Sequence, residues 1–111
     1  MEFVVRLRGS GVVELAAYGT ADAEHQVEKE IGRLWPEARV DILGIRRPDA
    51  GRRIVEEFRV SYRVRGSLRL RASSADAATR EALRTVREWF GGTRYHRIEW
   101  AAEEAEEEAG A

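Results

Sequence analysis

The chain has 111 residues, 19 basic against 20 acidic side chains, 43% apolar residues and no cysteine. That length supports one hydrophobic core and excludes a second domain, and the missing cysteines exclude a disulfide framework, a thiolate nucleophile and a Cys-ligated zinc or iron–sulfur centre. No apolar run approaches the roughly 20 residues of a membrane-spanning helix, and residues 1–6 lack the regions of a signal peptide, so a cytosolic protein with no membrane contact is expected.

The basic set is all arginine except Lys29, asparagine is absent, and glutamine and methionine occur once each. Depletion of heat-labile side chains together with abundant Glu and Arg points to a thermophilic source, and GC-rich codons produce the same bias.

In chain order, Phe3, Val5 and Leu7 alternate with Val4, Arg6 and Arg8, and Val13, Leu15 and Ala17 follow Gly9, Ser10 and Gly11. The pattern predicts a hairpin with a three-residue connection and Gly11 in the left-handed position. A helix is predicted over 20–34, capped by Thr20, with Ala23, Val27, Ile31 and Leu34 on one stripe and Pro36 ending it. A strand over 39–46 puts Val40 and Ile42 inward. The next segment carries Arg46, Arg47, Arg52 and Arg53 around Pro48, Asp49, Ala50 and Gly51, an exposed turn that could clamp a phosphate or an acidic peptide.

A second hairpin is predicted from Phe58, Val60, Tyr62 and Val64, then Leu68, Leu70 and Ala72, turning at Gly66 and Ser67. A helix over 74–90 presents Ala78 or Ala82, Leu83, Val86 and Phe90, and stops at Gly91 and Gly92. The last strand is expected over 95–100, with His96, Ile98 and Trp100 on one side. Five glutamates then make residues 103–111 an acidic tail, expected to be frayed or disordered, behind a body through Ala102 of formal charge +4.

Arg6-Leu7-Arg8-Gly9-Ser10 recurs as Arg63-Val64-Arg65-Gly66-Ser67, and Thr20-Ala21-Asp22-Ala23 as Ser74-Ala75-Asp76-Ala77. The expectation is a duplicated β-β-α-β unit, about 2–46 and 57–101, within a single domain over 1–102. The predicted class is α+β, a two-layer sandwich with a six-stranded, mostly antiparallel sheet and two helices on one face, a relative of the split β-α-β, ferredoxin-like arrangement.

Strand parity places Arg6, Arg8, Arg59, Arg63, Arg65, Arg69 and Arg71 on the open face of the sheet. With Arg46, Arg47, Arg52 and Arg53 they are the candidate anion-binding or nucleic-acid-binding residues, since guanidinium groups bind phosphates bidentately and stack on bases. Only Tyr18 and Tyr95 are expected to stand outward as aromatic platforms. The competing expectation is a solvated face paired to Glu14, Glu56 and Glu99, and the tail could fold over the arginines. No catalytic residue, metal or cofactor is expected. His25 reads as a surface residue, His96 as a core or rim residue, Ser10 and Ser67 lie in turns, Ser73 and Ser74 cap a helix, and Glu56 and Glu57 point to opposite faces. The sequence therefore predicts a non-enzymatic binding module for nucleic acid or an acidic protein. The alternative is a homo-oligomer, expected to be a dimer, joined through sheet faces, edges and the acidic tail.

Overall fold

The computed structural model describes residues 1–47 and 54–108. Six elements follow one another: β1 (Glu2–Ala17), α1 (Thr20–Leu34), β2 (Arg39–Arg46), β3 (Glu56–Arg71), α2 (Ala75–Gly91) and β4 (Glu99–Glu107). The strands form one antiparallel sheet in the order β2-β3-β1-β4, the split β-α-β arrangement, with the helices on one face.

The class is α+β, but the sheet has four strands and not six. Each predicted hairpin is one continuous strand of 16 residues, and the two pair with each other from Glu2 opposite Arg71 to Ala17 opposite Glu56. The inward alternation runs straight through the supposed turns. Gly9 and Gly66 are glycine because ring side chains occupy the space above them. A Cβ on Gly66 would lie 2.4 Å from Trp35 Cζ2, and one on Gly9 would lie 2.6 Å from Ile98 Cγ2 and 2.7 Å from the Trp100 ring. Gly11 likewise lies under Tyr62, whose hydroxyl would be 2.5 Å from its Cβ. Close approach, not a turn, is what these glycines provide.

A strand of this length spans ~50 Å, whereas helices of 15 and 17 residues span about half of that. Each helix covers one half of the sheet. α1 starts beside Ala17 and runs back to Trp35 over Gly66, while α2 starts beyond Arg71 and runs to Phe90. They do not pack side by side but meet at their C-terminal ends, where Trp35 lies 6.0 Å from Trp89 and 6.1 Å from Trp100, and Phe90 lies 5.1 Å from Trp100. The result is a rod of 59 × 20 × 19 Å with a continuous core of Phe3, Val5, Leu7, Val13 and Leu15 against Val27, Ile31, Ala82 and Val86.

Ser74 caps α2, its hydroxyl accepting from the Ala77 N–H at 3.1 Å. Thr20 is not the cap of α1: Gly19 holds that position without a side-chain bond, and Asp22 instead accepts from the Tyr18 N–H at 2.9 Å. Residues 95–98 precede the last strand rather than belonging to it. His96 is exposed, its Nδ1 lying 2.8 Å from the Thr93 carbonyl, and Tyr95, expected outward, is buried against Tyr62 with ring centres 5.6 Å apart. The acidic segment is not a frayed tail in its described part. Residues 103–107 belong to β4, with Ala102 and Ala105 packed against the core and the Glu108 N–H donating to the Glu2 carbonyl.

Candidate anion-binding face

The sheet face away from the helices carries the seven predicted arginines, because side chains alternate along each strand and antiparallel partners share a face. The register sorts them. Arg8 stands opposite Arg65, and Arg65 opposite Arg39, so three guanidinium-bearing residues lie side by side across β1, β3 and β2 at mid-length. The neighbouring row is Asp41, Arg63, Ser10 and Glu99.

Toward the ends four of the seven are paired with carboxylates. Arg59 contacts Glu14 at 2.8 Å, Arg69 contacts Glu108 at 2.9 Å, Arg71 contacts Glu2 at 3.4 Å and Arg6 contacts Glu104 at 3.5 Å. At the centre Asp41 serves two arginines, accepting from Arg65 at 3.0 Å and lying 3.5 Å from Arg39. Arg8 and Arg63 have no carboxylate partner among the described residues, and the Arg63 Nε is buried without a hydrogen-bond acceptor. Like charges set directly opposite repel, and at the centre Arg8 and Arg63 add guanidinium groups that no carboxylate offsets among the described residues.

The other candidates separate from it. Arg46 is exposed opposite Arg59 near one end of the face, and Arg47 is paired with Glu56 at 2.8 Å. Arg52, Arg53 and the Pro48 turn lie outside the described residues. Arg39 completes the central row and was missed by sequence reasoning, although its parity with Asp41 against Val40 and Ile42 carried the signal. Among the described residues the acidic strand does not fold over the face: it extends the sheet beside β1, and its glutamates pair with the sheet arginines only at Arg6 and Arg69. No aromatic side chain stands on this face among the described residues, and Tyr18, 74% exposed, lies beyond the end of β1.

A second polar cluster fastens the segment before β4 to α1. Arg94 Nε donates to Glu30 at 3.0 Å and its Nη2 to Gln26 at 3.3 Å, while the Tyr95 hydroxyl donates to Glu30 at 3.2 Å. Burial pushes the Tyr95 and Tyr62 phenols above their ordinary range, and the hydrogen bond to Glu30 raises Arg94. These groups stay neutral or stay cationic near neutral pH, which suits a fastening. Among the described residues no three metal-binding side chains converge, and no helix is long and apolar enough to cross a membrane.

No protein-family model matches the chain, and no curated protein matches it. Among solved structures, the chain is similar to the crystal structure of a hydantoinase/carbamoylase family amidase from Burkholderia ambifaria, at 15% identity and a TM-score of 0.35. The match covers 94% of this chain and 29% of that one, so the chain spans less than a third of that protein's length.

Proposed function

We propose that the chain is a non-enzymatic interaction module of a heat-adapted cytosol whose open sheet face engages an anionic partner through Arg8, Arg63, Arg65 and Arg39. The observation that carries this reading is the central row itself: three arginines abreast and Arg63 beside them, with Asp41 as a carboxylate partner of Arg65 and Arg39 alone. An oxyanion set among them supplies the acceptors that the unpartnered donors lack, and planar guanidinium groups fit phosphate or carboxylate in bidentate fashion. Of the two anionic classes, a phosphate backbone is favoured over a carboxylate-rich protein because arginines recur at alternate positions along β3, a repeat an extended polyanion can follow. Among its described residues the face offers no aromatic stacking platform, so recognition is electrostatic and indifferent to base sequence.

The test is fluorescence anisotropy of a labelled single-stranded oligonucleotide, titrated at several salt concentrations, with polyglutamate as competitor. The affinity is expected to fall linearly on a log–log scale with salt, and Arg8→Ala and Arg63→Ala each to lower the slope by about one. Binding that is indifferent to salt and to both substitutions sinks the reading. Binding to polyglutamate with none to the oligonucleotide transfers it to an acidic protein surface.

A further inference from the structure

The two long strands are paired along their whole length with each other but along only half of it on their outer sides. β4 reaches β1 from Phe3 to Ser10 and stops there, with Glu99 opposite Ser10. Among the described residues nothing pairs with residues 11–17 beyond that point. β2 begins with Arg39 opposite Arg65, so among the described residues nothing pairs with residues 66–71 of β3 on the opposite side of the sheet. The two gaps are of nearly equal length and lie at opposite ends of the rod.

The direction of the free backbone groups follows from bonds that are made. Glu2 accepts from Glu108 on the β4 side, and Ala16 accepts there from the Gln26 side chain at 3.0 Å, whereas Met1 accepts from Ala72 on the β3 side. Even-numbered residues of β1 therefore turn their N–H and C=O groups outward, which leaves those of Val12 and Glu14 without a strand partner among the described residues. By the antiparallel register, Ser67, Arg69 and Arg71 of β3 aim at the other gap. Neither stretch carries the proline, lysine or bulge that protects an edge strand, and Val12 is 53% exposed.

We propose that residues 11–17 of one molecule receive residues 66–71 of a second copy as an antiparallel strand. The register that fits sets Val12 opposite Arg71 and Glu14 opposite Arg69 as hydrogen-bonded pairs on the outer face, and Ala16 opposite Ser67, where the Gln26 amide already donates to the Ala16 carbonyl. It sets Val13 opposite Leu70 and Leu15 opposite Leu68 on the inner face, covering two leucines that are only partly buried in the single chain. Glu14 and Arg69, paired within their own chains to Arg59 and Glu108, meet as opposite charges, and apolar meets apolar, with the backbone groups of Val12 and Glu14 aligned to those of Arg71 and Arg69. A two-fold pairing of residues 11–17 with themselves is disfavoured, because the register that fits the gap sets Glu14 against Glu14. Joined in the favoured way, α1 of one copy comes beside α2 of the next, a helix pairing that the single chain lacks. The contact is heterologous and leaves one free gap at each end, so copies add in a staggered row rather than closing as a dimer.

The chain has no cysteine, so single thiols report the contact cleanly. Val12→Cys and Arg71→Cys are made separately, both at exposed positions, and the hydrogen-bonded pair brings their Cα atoms within disulfide range. On mild oxidation the mixture is expected to cross-link about tenfold faster than either variant alone. The mass of the untreated protein in sedimentation velocity is expected to rise with concentration beyond a dimer, and Val12→Lys to return it to a monomer whose thermal melt matches that of the wild type at dilutions where the wild type is itself monomeric. A wild-type chain that stays monomeric at every concentration overturns the proposal. So does a mixture that cross-links no faster than its components, or a Glu14→Cys variant that cross-links with itself faster than the mixture does.

Discussion

Gly66 carries no side chain because the Trp35 indole occupies its place. An indole cannot swing aside as a lysine tip can, so Gly66→Ala must shift α1 or the strand. The expected cost is about 1–3 kcal/mol, read as a lower denaturant midpoint with an unchanged slope. A different stress sits at Glu104, whose carboxyl is held above its usual range by Glu106, through a hydrogen bond and like charge, against the opposing pull of Arg6. A carboxyl with a raised folded-state pKa disfavours the fold above that pKa, and the penalty disappears as pH falls through it. Glu106→Gln is therefore expected to raise the melting temperature near pH 7 and to raise it by much less near pH 3, below the ordinary range of a glutamate carboxyl. Melts at the two pH values check the sign.

At the scale of elements, the helices and the alternation of each strand were legible from single residues. Ala23, Val27 and Ile31 mark one helix face, and Ala82, Val86 and Phe90 the other. The Gly9 and Gly66 segments were not legible, because glycine beside serine reads equally as a turn or as room for a ring, and only the tertiary position of Trp35 and Trp100 decides. Parity held the clue: Phe3 through Ala17 keep one inward phase across Gly9 and Gly11, which a continuous strand explains without any loop. The acidic end was misread for a related reason, since glutamates dominate its composition while Ala102 and Ala105, inward and small, give only a faint alternation. The candidate arginines were found on the correct face by parity, but which of them lacked a partner depended on register. Truncation after Ala102 is accordingly expected to be harmful. It removes the β4 residues opposite Phe3, Val4, Val5 and Arg6, and should lower the melting temperature and the cooperativity of unfolding as followed by circular dichroism.

The molecule as a whole is long for its mass. A compact chain of this length has a radius of gyration of about 13 Å, against 16.5 Å here. Small-angle scattering extrapolated to zero concentration should return the larger value with an extended distance distribution, and a compact profile would contradict the continuous strands. The same two strands also govern the order in which the structure can arise. Even their nearest pair, Ala17 with Glu56, encloses all of α1 and β2, and Glu2 with Arg71 encloses more. α1 and α2 can form in roughly microseconds from local contacts, whereas the central ladder must await closure of these large loops, on the order of milliseconds to seconds. During synthesis, β1 leaves the ribosome with both edges bare and acquires its first strand neighbour only after α1 and β2 have been made.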